Sequence, residues 1–240
     1  QARSLLNNIP HSSDRKNHMN RSIEIMDIDL KEALRYLGYG NNVPDNKTKE
    51  LLIKCSEELK KSMDCKFIYK VFDLKNGQIP DSTFVLEGNS IKEHLYNCEK
   101  VVFMCATLSG TVDLLIRKKQ IVSMTEAMLV DSMASAVIEQ VCDSAEQIIL
   151  KDFKEYEHTW RFGLGYGDFP LEKQPEFLNI LDAPKRIGVC ANESKMLTPT
   201  KSVTCVIGLG HNLKVSSKKS CDFCDFRDRC TFRKNGTTCS

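Results

Sequence analysis

Apolar residues recur at helical spacing along much of the chain. Ile28, Leu30, Ala33, Leu34 and Leu37 share one helix face, and Gly38 suits the left-handed residue that ends such a helix. Asp45 or Asn46 then caps a second helix with Leu51, Leu52, Cys55 and Leu59 on its apolar side. The period next switches to two. Residues 66–72 are β-branched and aromatic, and the Asn76-Gly77 turn predicts a hairpin into further strand at 79–86. Ser90 opens a helix through Ile91, Leu95 and Cys98. Residues 100–107 form a continuous apolar run, as expected of a strand buried on both faces. A further helix starts in 111–116.

The longest helix is predicted over 124–150, with Ala127, Val130, Ala134, Val137, Val141 and Ile148 as its apolar stripe. Small residues on it (Ala127, Ser132, Ala134, Ser135, Ala136) suit tight helix packing or close approach of a ligand. Glu139 sits between Ile138 and Val141, either on a solvated face or as an acceptor for a ligand. A helix over 171–181 and strands over 187–190 and 201–208 follow, with a loop at 193–199. Helices and strands alternate without a regular β-α-β rhythm. The expected class is therefore α+β, a mainly antiparallel sheet packed with several helices. Residues 1–20 are polar and aperiodic and are expected to be a disordered or expression-derived tail. The folded domain is expected over 21–212, with a cysteine-rich tail over 213–240.

Composition narrows the function classes. Over 240 residues, 41% hydrophobic and 28% charged content is ordinary for a soluble domain with a proper core. A formal net charge of +2 favours neither nucleic-acid nor membrane-surface binding. No apolar run approaches the roughly 20 residues that span a bilayer, and a cytoplasmic location is expected. Eleven cysteines, an odd count, argue against a complete disulfide framework. Cys55, Cys65, Cys98, Cys105, Cys142, Cys190 and Cys205 lie in helix-like and strand-like segments and are expected to be core thiols.

The densest chemistry lies at 160–170. Gly163, Gly165 and Gly167 alternate with other residues between Arg161 and Pro170, with Tyr166 inside. Such a run is either a structural turn or a loop that faces a ligand. An arginine fork suits a carboxylate or phosphate, and bare backbone beside it suits the edge of a flat heterocycle. The spacing differs from the dinucleotide-binding G-x-G-x-x-G, and the chain contains no phosphate loop, metalloprotease helix or nucleophile elbow.

Several runs together resemble the activation domain of cobalamin-dependent methionine synthase. They are 161–171 with Gln174, Leu181-Asp182, 185–188, 192–199 and 201–204, with 32–38 and 106–110 resembling free-standing members of that family. The likeness covers roughly 22–210. It implies a domain that binds S-adenosylmethionine and docks on a cobalamin-binding partner, so that cob(II)alamin is reduced and remethylated. It places the methionyl carboxylate on Arg161, the adenine on backbone at Gly163, Leu164 and Gly165, and the loop tyrosine at Tyr166. Most relatives carry proline where this chain has Leu164, which lowers loop rigidity. The family's acidic contact on the long helix aligns with Ser135, and Glu139 one turn on could replace it. The cobalt supplies the nucleophile, so no catalytic side chain is expected. A full synthase is several times longer, so the chain is expected to act as a separate activation subunit. Its expected partners are a corrinoid protein and a reduced donor, flavodoxin or ferredoxin, with no nucleic acid or membrane.

Cys221, Cys224 and Cys230 give C-x2-C-x5-C, and Cys239 follows. This spacing is that of metal ligands. Zinc and an iron–sulfur cluster both fit four thiolates. The need for a low-potential electron favours [4Fe–4S]. The alternative reading is a non-catalytic corrinoid-protein adaptor with a structural zinc knot.

Overall fold

The apolar run expected to form a central strand lies in the middle of the sheet. The computed structural model describes residues 19–39, 42–80 and 82–213. In chain order its elements are β1 (Met19–Ser22), α1 (Leu30–Tyr36), α2 (Asn46–Ser62), β2 (Lys66–Asp73), α3 (Asn89–His94) and β3 (Cys98–Thr107). There follow α4 (Gly110–Val122), α5 (Met124–Leu150), β4 (Glu157–His158), β5 (Phe162–Gly163), α6 (Gln174–Ile180), α7 (Ala183–Ile187), β6 (Cys190–Ala191), β7 (Leu197–Thr198) and β8 (Ser202–Gly210). The main sheet runs β1-β2-β3-β8-β4, with β5 also on β8 and every pairing antiparallel. This is the expected α+β class.

Period-two alternation divides the sheet's side chains between two cores. Phe67, Tyr69, Val102, Met104, Ala106, Ile207 and Leu209 pack with α1, α2, α4 and α5. On the other face Ile68, Val101, Phe103, Cys105 and Val206 pack with Phe84, Ile91, Phe177 and Leu178. Phe103 stacks on Phe177 with ring centroids 4.5 Å apart. Each fully buried phenylalanine or isoleucine contributes about 1.5–3 kcal/mol relative to exposure. The sheet is a buried middle layer, which is why β3 reads as uninterrupted apolar sequence.

The long helix has the expected bounds. Ser123 caps α5 by accepting from Glu126 N at 3.3 Å. Glu126 in turn pairs with Lys54 at 3.0 Å and Lys119 at 2.6 Å, joining α2, α4 and α5. Ala127, Ser132, Ala134 and Ala136 are buried, so these small residues serve helix packing. Ser135 remains half-exposed.

Several expectations are corrected. Among the described residues of 79–86 there is no strand. Asn76 and Gly77 do form a tight turn, with φ 53 and 73, but only Lys75 and Gln78 pair across it. Beyond the turn, Ile79, Phe84 and Leu86 drop into the second core, and Pro80 has no N–H for a ladder. Leu95 ends α3 rather than continuing it, and Cys98 begins β3 after Asn97 at φ 63. The region 187–190 ends a helix, α7, capped by left-handed Gly188, and only Cys190–Ala191 forms strand. The helix expected over 171–181 divides into a 3-10 turn, Leu171–Lys173, and α6. Ile28 precedes its helix, whose cap is Asp29. Strand β1 begins at Met19, inside the stretch expected to lie outside the fold. Among the expected core thiols, Cys190 is exposed.

Candidate functional site

The site begins on the one side of α5 that is not packed. Met124, Met128, Asp131, Ser135, Glu139, Asp143 and Glu146 recur every three or four residues and therefore lie along one stripe. The stripe is apolar at the helix's start and acidic towards its end. Antiparallel β4 and β5 on β8 place the link between them, with Arg161, over the acidic part.

Arg161 is held there by three carboxylates. One terminal nitrogen, Nη1, donates to Glu146, and Nη2 donates to Asp143 at 2.7 Å and to Glu139 at 3.4 Å. Its side chain is 14% exposed, whereas Glu139 and Asp143 are 44% and 62% exposed. Glu146 also lies 3.6 Å from His158 Nδ1. The guanidinium is permanently charged and faces three acidic side chains, Glu139, Asp143 and Glu146, so the cluster is acidic overall.

The glycine loop continues from Arg161 and is held mainly by backbone. Phe162 and Gly163 pair with Val206 and Cys205. Gly165 N donates to Phe169 O at 2.9 Å, and Tyr166 N donates to Gly163 O at 3.2 Å. Gly165 has φ +81, a conformation that favours glycine, and a Cβ there would crowd the Leu171 side chain at 3.2 Å. Asp168 fastens the loop's far end. Its carboxylate accepts from Asn89 N at 2.6 Å and Ser90 N at 2.9 Å, capping α3 from outside. These backbone donors hold its carboxyl below the usual range. The approach is close enough that a Cβ on Gly88, at φ +110, would lie 2.6 Å from Asp168 Oδ1.

Aromatic rings back the loop. His94, Trp160, Phe162 and Tyr166 contact one another with centroids 4.6–5.6 Å apart. His94 is buried and donates from Nε2 to Trp160 O at 2.9 Å, fixing the carbonyl just before Arg161. Burial pushes its imidazole down to about 4, only partly opposed by that hydrogen bond.

A cleft of about 620 Å³ opens beside the stripe, lined by Tyr36, Met124, Met128, Ser135, Glu139 and Lys201 among others. Lys201 donates to Ser135 Oγ at 2.9 Å and pairs with Asp131 at 2.8 Å. The Tyr36 phenol is pushed up to about 12 by burial and then by the charge of Glu32. Glu139 belongs both to this cleft and to the Arg161 cluster.

Arg161, Gly163, Leu164, Gly165 and Tyr166 thus lie on one loop, and the fold brings Glu139 to it from 22 residues away. Ser135 lies further along the same stripe, engaged by Lys201. The sequence reading missed Asp143, Glu146, Asp168, Gly88 and His94. The 139, 143, 146 spacing was a readable signal; the contacts of Asp168 and His94 left none. Cys221, Cys224, Cys230 and Cys239 lie outside the described residues. Among the described residues, no group of three or more His, Cys, Asp or Glu side chains is arranged to hold a metal ion.

No family model matches the chain, and no curated protein matches it. Among solved structures it is similar to the crystal structure of the MetH reactivation domain bound to AdoHcy. The two are 11% identical with a TM-score of 0.58, over 92% of this chain and 86% of that one. The chain has the fold of the MetH reactivation domain. At that identity the likeness concerns architecture: mixed helices against a curled antiparallel sheet. No helix among the described residues is long and apolar enough to cross a membrane.

Proposed function

We propose that the chain binds S-adenosylmethionine across the 161–166 loop and the acidic stripe of α5, and reductively reactivates a cobalamin-dependent methionine synthase or related corrinoid protein. The observation that carries this reading is the meeting of Arg161 with Glu139, Asp143 and Glu146 beside the glycine loop. Support comes from the fold, shared with a reactivation domain solved with AdoHcy bound.

The residues suit an amino-acid zwitterion attached to a flat heterocycle. The Arg161 guanidinium can meet the carboxylate, and the outer carboxylates, Glu139 and Asp143, can meet the ammonium. Glu139 makes the longest of the three contacts and lines the cleft, so it is the partner most readily exchanged for a ligand. Backbone at Gly163, Leu164 and Gly165 would face the adenine edge, with Tyr166 beside it. When bound, S-adenosylmethionine would supply a methyl group to the partner's reduced corrinoid, with its sulfonium leaving as the neutral thioether. The chain's own task is then to orient the ligand and exclude alternatives. The electron comes from a reduced flavodoxin or ferredoxin. The C-terminal cysteines enter as metal ligands by their spacing, and as ligands of a relaying [4Fe–4S] cluster by the need for a low-potential electron; anaerobic purification with iron and zinc analysis tests them, and a colourless zinc protein would sink that part.

Calorimetric titration with S-adenosylmethionine tests the reading. Saturable binding weakened by Arg161→Ala is expected, followed by loss of the cob(II)alamin spectrum when partner and reductant are added. Binding that is absent, or indifferent to Arg161→Ala, would overturn it.

A further inference from the structure

Helix α3 does two jobs, and only one of them serves the glycine loop. Asn89 N and Ser90 N in its first turn hold Asp168, and His94 at its end holds Trp160 O, so this one helix fastens both ends of the 160–168 segment. The same helix also walls a second cavity of about 710 Å³, larger than the cleft beside α5 and within the range of small-molecule sites. Its buried lining is Ile79, Phe84, Leu86, Ile91 and Leu95. Val85 and Tyr96 also line it and are 50% and 55% exposed, so the cavity reaches solvent. Among the described residues that line it, Lys92 alone carries a charge and none is a carboxylate. An apolar chamber with one ammonium and no acid suits a ligand with an apolar body and a single anionic head. The wall at 82–86 runs on into Glu87, which pairs with Lys173 at 2.8 Å, and into Gly88, which Asp168 abuts. Both walls therefore lead to the glycine loop or to the turn that follows it.

We propose that this cavity is a second ligand site, taking a small apolar anion such as a medium-chain carboxylate, and that its filling steadies the glycine loop through α3. The coupling rests on the function proposed above; the site itself does not. A ligand that fills the cavity binds the arrangement in which α3 and 82–86 enclose it, and so favours the loop geometry that they hold. Each ligand then tightens the other by the same factor.

The test titrates the full chain with octanoate by calorimetry, with 1-octanol as the uncharged probe of the same length. One-to-one octanoate binding is expected, about tenfold weaker for octanol and for Lys92→Glu. Lys92 is exposed, so folding should survive that change. Trp160 is the chain's only tryptophan and meets the His94 ring at a centroid distance of 4.6 Å, so octanoate should also shift its emission. With octanoate saturating the wild type, S-adenosylmethionine is expected to bind about fivefold tighter. Lys92→Glu should leave S-adenosylmethionine affinity without octanoate unchanged and lose that gain at the same octanoate concentration. Octanoate binding that is absent, or that octanol and Lys92→Glu match, overturns the site and leaves the function proposed above standing. Octanoate binding that leaves S-adenosylmethionine affinity unchanged or weaker overturns the coupling alone. A chain that takes octanoate but no S-adenosylmethionine overturns the function proposed above and the coupling with it, while the cavity keeps its assignment.

Discussion

The two flanks of the 161–169 loop are held in different ways. On one side Arg161 is gripped by side-chain charges projecting from α5, through rotatable bonds and partly exposed carboxylates. On the other, the glycine loop is fixed by backbone hydrogen bonds, by Asp168 on the start of α3 and by His94 on Trp160 O. Ion pairs with an exposed partner can be traded for a ligand's own charges at little cost. A backbone-held loop cannot rearrange so cheaply, which suits it to present one fixed surface. The difference assigns exchange to the Arg161 flank and shape to the glycine flank.

The largest expected effect probes the shape-keeping flank through His94. Its folded imidazole, near 4, lies below the ordinary 6.5, so the unfolded chain binds the extra proton more readily. The contribution of neutral His94 is therefore complete above pH 6.5 and is lost as pH falls from 6.5 towards 4, by about 3 kcal/mol in all. Denaturant midpoints across that range should fall in the wild type and flatten in His94→Gln; equal slopes would show that another group sets the acid limb. Gly88→Ala comes next. It strains a left-handed backbone and drives a methyl into Asp168, so a loss of about 2 kcal/mol and a looser loop are expected, read as a lower thermal midpoint.

Arg161→Ala tests the exchanging flank. At least a tenfold loss of S-adenosylmethionine affinity, about 1.4 kcal/mol, is expected, and Arg161→Lys should recover only part of it because the fork is lost. If Gly88→Ala weakens binding as much as Arg161→Ala, the division of labour between the flanks fails. The smallest effect is expected of Asp168→Asn. The Asp168 carboxyl is held below its ordinary value, so its help is present above that value and disappears as pH falls below it. The variant should match the wild type in strong acid and be slightly less stable at neutral pH, with hydrogen exchange at Asn89 and Ser90 faster there.

Much of this molecule was legible from local pattern. The burial of β2, β3 and β8, the bounds of α5 and the cap on α2 follow from side-chain period and capping chemistry, which act over a few residues. The glycine spacing likewise marked 161–166 as unusual backbone. Where the local signal failed, a distant contact had prevailed. Ile79, Phe84 and Leu86 lie in a stretch of strand-like composition yet fill the second core, where Phe84 finds Phe103 and Phe177 instead of a ladder partner. The site followed the same division. That Arg161 would seek acidic groups was fixed by its own chemistry, and 139, 143 and 146 share a helix face wherever that helix lies. Only the tertiary structure decided that this face meets Arg161, that Asp168 caps α3 some 79 residues earlier, and that His94 steadies Trp160 from 66 residues away. Such contacts depend on how β4, β5 and β8 pair, and strand pairing across long sequence separations leaves no local period to read.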